Sequence, residues 1–158
     1  WGPFAVAALF LLGLVGGAAG STSCSIKIFR YQIMLSAILA QLKRIHSPHG
    51  VFKERFEGRP VSEEVISSVM GFIYLFLLTL AVLAIALSMM GYDAVTAVSA
   101  AASALANIGP GFGPIVGPAG NFAPLSDGAK WLLAFAMLLG RLELMAVFAA
   151  LTPAFWRA

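Results

Sequence analysis

The chain has 158 residues, 60% of them hydrophobic and only 11% charged, with a formal net charge of +3. A soluble domain carries about 25% charged residues, so this composition excludes an ordinary water-soluble enzyme and points to a membrane protein. The cations form no stripe interleaved with aromatics, which excludes a nucleic-acid interface. The single cysteine, Cys24, excludes an internal disulfide or a multi-cysteine metal site and reads as a small apolar filler.

The first apolar run, 4–15, is too short to cross a bilayer, which takes about 20 residues. With the small residues from Gly16 to Gly20 behind it, it has the outline of a signal peptide. No Lys or Arg precedes it, however, and the chain opens on Trp1, so a fragment of a longer protein is the better expectation. A marginal span follows at 26–42. Lys27 and Arg30 stand near its start and are expected near an outer mouth or between repeats, their stems reaching to polar groups.

The stretch 43–59 holds Lys43, Arg44, Lys53, Arg55 and Arg59, with His46 and His49. Short loops rich in Lys and Arg stay in the cytoplasm. The two histidines lack a third ligand and are expected in a solvated loop rather than at a metal. Next, 65–92 contains no charged residue and is long enough to span. Asp93 is placed to cap a helix over 94–106. At 1.5 Å per residue that helix is roughly 20 Å long, against a bilayer core of about 30 Å. It meets Asn107-Ile108-Gly109-Pro110-Gly111, which cannot continue it.

The last long apolar segment, 131–156 within an expected helix 128–156, is interrupted by Arg141 and Glu143. Those two stand two residues apart and face different ways on a helix. Asp127 is expected to cap this helix, with Lys130 and Trp131 anchoring its outer end. Between 93 and 127 there is no Lys or Arg, so that stretch belongs outside, while Arg157 returns the chain inside. The parity works only if 94–106 dips into the membrane and comes back on the same side.

Short apolar helix, glycine-containing loop, spanning helix: this order occurs at 4–15, 16–22 and 26–42, and again at 94–106, 107–111 and 131–156. A half-helix that ends inside a membrane is tolerated where the backbone beyond it lines something polar. Its C-terminal end carries about half a negative charge, which favours a cation. Glycine permits the positive φ angles that turn carbonyls toward an ion. Ala18-Ala19-Gly20-Ser21-Thr22 and Asn107-Ile108-Gly109-Pro110-Gly111 both fit, and neither holds an acidic residue. Selection by carbonyls, not by a carboxylate ring, is therefore expected. The plainer alternative for each loop is a helix C-cap and a turn. For Arg141 the alternatives are a gate beneath the loops or a buried arginine tying helices together through carbonyls. No nucleophile–base pair, paired carboxylates or phosphate-cradling loop supports an enzyme.

At these residues the chain resembles a known family. Gly16-Gly17-Ala18-Ala19-Gly20-Ser21-Thr22 with Ile26-Lys27 is similar to the third pore loop of the Trk/Ktr/HKT potassium transporters, and Asn107-Ile108-Gly109-Pro110-Gly111 to their fourth. Ala129-Lys130-Trp131-Leu132-Leu133, Met137-Leu138-Leu139-Gly140-Arg141-Leu142-Glu143 and Thr152-Pro153-Ala154-Phe155-Trp156-Arg157 resemble the last helix of the TrkH type. Ser23-Cys24-Ser25 departs from the pattern, standing where many relatives have glycines.

The resemblance implies an all-α membrane protein, one part of a four-repeat helix–pore-loop–helix fold. It implies a K⁺ filter that includes Ala19, Gly20, Ser21, Asn107, Ile108 and Gly109, and a gate at Arg141. A mobile gating segment after the third loop is also implied, with Ser36, Ala37 and Ala40 as candidates. Segment 1–45 would hold the third loop and its inner helix, 46–62 a cytoplasmic loop, and 63–158 a complete fourth repeat. Implied partners are the missing repeats of the same subunit, a second subunit in a homodimer, and a cytosolic nucleotide-binding ring of the TrkA type. The implied place is a bacterial inner membrane, with 43–62 and the C-terminus cytoplasmic. The rivals are a secondary transporter with broken helices and a non-transporting membrane scaffold packed through small residues such as Ala100, Ala104 and Ser103.

Overall fold

The computed structural model describes residues 3–17, 24–47, 55–56, 58–142, 144–152 and 156. In chain order its elements are α1 (Pro3–Val15), α2 (Ile28–His46), β1 (Arg55–Phe56), β2 (Arg59–Pro60), α3 (Glu63–Met89), α4 (Ala94–Ala106), α5 (Gly113–Val116), α6 (Asp127–Arg141) and α7 (Leu144–Leu151).

α2 was expected to end at Leu42 but runs a turn further. Lys43, Arg44 and His46 form its last turn, where cations suit the negative end of the helix dipole. His46 is therefore helical, not part of a loop, and His49 lies outside the described residues. The helix passes unbroken through Ser36, Ala37 and Ala40. The hairpin β1–β2 pairs Arg55 with Pro60 and Phe56 with Arg59. It sits against α2, where Ser36 Oγ donates to the Arg55 carbonyl at 3.1 Å and accepts from the Arg55 N–H at 3.3 Å. Pro60 has no N–H to offer a further strand.

α3 has 27 residues and is, among the described residues, the one helix that is long and apolar enough to cross a bilayer alone. It begins two residues before the expected 65–92, because Glu63 and Glu64 are favourable in a first turn. It ends at Met89, where Gly91 with φ +92° reverses the chain.

α4 covers the expected 94–106. The Asp93 side chain accepts from the Thr96 N–H at 3.2 Å. From Thr96 to Ala106 only Val98 stays exposed, because α4 lies between α3 and α6. Ala97, Ala100, Ala101 and Ala104 let the three backbones approach. Phe76 and Leu87 from α3, Leu105 from α4, and Ala129 and Ala136 from α6 form the fully enclosed core.

Two hydroxyls in α4 behave oppositely. Thr96 Oγ1 is buried and has no hydrogen-bond partner among the described residues. Ser99 Oγ accepts from the Phe112 N–H at 3.0 Å and donates to the Phe112 carbonyl at 3.1 Å. Thr96→Val is therefore expected to leave stability unchanged or raise it. Ser99→Ala strands a backbone N–H and should cost about 1–3 kcal/mol. Thermal unfolding of the full-length protein in detergent separates the two, and a destabilised Thr96→Val would show that the Thr96 hydroxyl has a partner.

The stretch between α3 and α6 leaves and returns at one level. The Ser126 N–H donates to Tyr92 Oη at 2.7 Å, and a Cβ on Gly128 would lie 3.7 Å from the Met90 side chain. The start of α6 thus stands beside the start of α4. The expected cap of α6 is corrected: Ser126, not Asp127, accepts from the Ala129 N–H. Asp127 sits in the first turn and pairs with Lys130 at 3.3 Å.

The expected single helix 128–156 is also corrected. α6 ends at Arg141, and α7 departs from it at 102°. Gly140 weakens the ladder at that point, Leu142 closes the last turn by donating to the Leu138 carbonyl at 3.0 Å, and Leu144 turns into the core, fully buried. Glu143 lies outside the described residues.

Candidate functional site

The buried α4 delivers its C-terminal end to Asn107, the point from which the glycine–proline tract departs. Asn107 takes the left-handed conformation, φ 53° and ψ 44°, and stops the helix. Its N–H and that of Ile108 close the last turn on the carbonyls of Ala104 (3.2 Å) and Ser103 (3.0 Å). Gly109 follows at φ +112°, outside the small left-handed region open to other residues.

Side chains of α4 fix the loop from behind. Ser103 Oγ donates to the Gly109 carbonyl at 2.8 Å. Ser99 holds both backbone groups of Phe112, and the Gly111 N–H donates to the Val116 carbonyl at 2.7 Å. Asn107 Nδ2 reaches across to the Met137 carbonyl of α6 at 3.0 Å. The carbonyls of Asn107 and Ile108 accept no hydrogen bond from any described residue, and both residues are exposed. Unpaired carbonyl oxygens at the negative end of a buried helix are ligands able to replace a cation's hydration shell. No Asp or Glu occurs between 94 and 126, so no carboxylate competes for that role.

α1 packs on the loop from the other side. A Cβ on Gly13 would lie 2.7 Å from Ile108 Cδ1, and Phe10 meets Phe112 edge-on with ring centroids 5.6 Å apart. Of the candidate site residues, the structure therefore brings Asn107, Ile108 and Gly109 together between α1, α4 and α6. Ala19, Gly20 and Ser21 lie outside the described residues. The described flanks of that first loop are tied to each other, the Ile28 N–H donating to the Gly17 carbonyl at 3.2 Å.

Arg141, at the end of α6, reaches Cys24 Sγ with Nη1 at 3.7 Å. Cys24 is therefore more than an apolar filler, since it joins the first loop unit to the second through a weak sulfur acceptor. Arg30 stacks over the Phe72 ring of α3 at 3.8 Å, which puts it between the two units, one of the two places expected for it.

Several residues of this arrangement went unassigned in the sequence. Ser99 and Ser103 stand four apart, so both meet the loop; two hydroxyls on one face of the preceding helix were the available signal. Gly140 is the other. A Cβ there would fall on the Leu105 carbonyl oxygen, 2.9 Å from its carbon and 3.0 Å from Asn107 Nδ2. Only glycine lets α6 lie that close behind the loop.

Residues 1–156 match the family model described as TrkH, cation transport protein. Over 157 residues the chain is 49% identical to the Trk system potassium uptake protein TrkI of Halomonas elongata, covering 99% of this chain and 32% of that protein. It is 35% identical to the Trk system potassium uptake protein TrkH of Vibrio parahaemolyticus, covering 100% of this chain and 32% of that protein. The crystal structure of the potassium transporter TrkH from Vibrio parahaemolyticus superposes with a TM-score of 0.89 at 34% identity, over 99% of this chain and 33% of that one. The chain thus spans about a third of the length of the curated relatives it matches.

Proposed function

The chain belongs to the TrkH cation transport protein family, and from that premise we propose that it forms the last third of a potassium-uptake subunit and supplies two loops of its filter. The observation that carries this reading is the Asn107–Gly109 backbone. Its Asn107 and Ile108 carbonyls, unpaired among the described residues, sit at the end of a buried half-helix, and the loop is braced from behind by Ser103 on the Gly109 carbonyl and by the Asn107 side chain on α6. K⁺ is the cargo, held in turn by carbonyls of Asn107, Ile108 and Gly109 and by those of Ala19, Gly20 and Ser21.

Two and a half further repeats complete the pore, so the working unit is the full-length subunit. It acts in a bacterial inner membrane as a homodimer with a cytosolic nucleotide-binding ring of the TrkA type. Loop 43–62 and the C-terminus are cytoplasmic. Lys43, Arg44, Arg55 and Arg59, all exposed, support that loop as the face on which the ring docks.

Arg141 is the gate. It lies one residue from Gly140, which touches the end of the pore helix, and its guanidinium is held at Cys24, just past the first loop. A cation at that point opposes the passage of K⁺. Lowering a barrier by about 1.4 kcal/mol raises a rate about tenfold, and an increase on that scale is expected for Arg141→Gln. The experiment is uptake of K⁺ and Na⁺ by the full-length subunit in liposomes, wild type against Arg141→Gln, without the ring. Selective K⁺ flux that rises in the variant supports both filter and gate; selective flux that does not rise refutes the gate alone.

The break between α6 and α7 favours a second reading, the broken-helix secondary transporter. The same liposomes discriminate, because a pore conducts in proportion to the gradient whereas a coupled transporter saturates and needs a second ion.

A further inference from the structure

The hairpin and the start of α3 enclose a feature that ion passage does not use. A groove of about 650 Å³ is lined by Ile33 of α2, Phe56, Arg59 and Pro60 of the hairpin, and Ser62 and Val65 at the head of α3. Its walls are built. The two bonds from Ser36 Oγ to Arg55 fasten the hairpin to α2, and the strand pairing sets Arg59 opposite Phe56.

The chemistry of the groove is two-sided. Ile33, Phe56 and Val65 make an apolar floor. Arg59 is exposed and makes no ion pair with a described residue, and Ser62 caps α3 in position while its side chain makes no cap bond. Among the described residues, Glu63 lines the neighbouring groove together with Arg44, and Glu64 is exposed. The groove stands at the first turn of the spanning helix, so it opens where a bilayer's headgroups meet its acyl chains.

We propose that this groove binds an anionic phospholipid, with the phosphate against Arg59 and the Ser62 hydroxyl and the first acyl carbons on Ile33, Phe56 and Val65. The inference rests on α3 crossing the membrane with its Glu63 end at the cytoplasmic surface, the side to which anionic lipid draws basic residues. It does not depend on which ion the pore carries.

The test is a native mass-spectrometric titration of the full-length subunit in mild detergent. The probes are phosphatidylglycerol, phosphatidylcholine and inorganic phosphate. Wild type is expected to retain phosphatidylglycerol over phosphatidylcholine. Arg59→Gln should lose about fivefold in that affinity, the factor carried by one cation at the interface. Arg59→Lys should keep most of it, and Arg55→Gln, outside the lining, should keep all of it. An unchanged Arg59→Gln overturns the proposal, as does an equal loss in Arg55→Gln, which would mean a diffuse surface effect. Inorganic phosphate competing as well as the lipid overturns it too, since the site would then hold a free anion. K⁺ flux of wild type in phosphatidylcholine vesicles is read separately, so a failed pore and a failed lipid site give different results.

Discussion

Gly109→Ser in the full-length subunit is expected to cut K⁺ flux about tenfold to a hundredfold and to narrow its preference over Na⁺. The reason is conformation, not space. A Cβ at Gly109 would meet nothing within 4 Å, but the residue sits at φ +112°. Any other residue held there carries strain of about 1–3 kcal/mol, and each 1.36 kcal/mol placed on a barrier is worth tenfold in rate. The strain is relieved by rotating the peptide, which takes the Gly109 carbonyl off Ser103 Oγ and re-aims the carbonyls beside it.

Gly91 supplies the matched control. It has φ +92°, likewise with nothing within 4 Å of a Cβ, but it lies in the turn between α3 and α4. Gly91→Ser should therefore lower thermal stability by a similar amount and leave ion preference untouched. Equal flux and selectivity in wild type and Gly109→Ser would reduce 107–111 to a turn. An altered preference in Gly91→Ser would show that general destabilisation, not the loop, sets selectivity.

α4 was legible at both ends because its limits are local chemistry: Asp93 caps the first turn, and Asn107 with Gly109 and Pro110 forbids continuation. The absence of Lys and Arg between 93 and 127 called for the chain to come back beside the start of α4, and the bond between Ser126 and Tyr92 joins those two points. The family resemblance drew on the same loop and on the tail, and the family match extends over both.

What stayed hidden depends on contacts between distant segments. Nothing in the apolar run 131–156 announces that burial of Leu144 bends the chain after Arg141. Cys24 looked inert because its neighbour in space, Arg141, is 117 residues away. Ser36 stood out only as a small residue in an inner helix, whereas the structure uses its hydroxyl to fasten the hairpin. Whether an adjacent Ser or Asp caps α6 turned on a shift of one residue, below the precision of helix-boundary reading.

Gly140 is where the packing and the loop are coupled most tightly, and Gly140→Ala is expected to damage both. The added methyl would fall on the Leu105 carbonyl oxygen, 2.9 Å from its carbon. That neighbour is backbone, in a helix buried between α3 and α6, so it cannot swing aside as a side-chain tip would. Overpacking of this kind costs about 1–3 kcal/mol. Here the displaced atoms lead within two residues to Asn107, whose amide, 3.0 Å from the same methyl, bonds Met137 on the very helix that is pushed away. Flux should therefore fall by at least about tenfold even where the protein still folds, because a shift costing 1.4 kcal/mol at the loop suffices. Gly71 gives the contrast. It too lies inside a long apolar helix, but a Cβ there touches only the flexible end of Met145 at 4.0 Å. Gly71→Ala should leave flux intact and gain about 0.5–1 kcal/mol from lowered backbone entropy. Thermal unfolding and K⁺ uptake measured on both variants decide the matter: wild-type behaviour of Gly140→Ala would mean that α6 does not brace the end of α4.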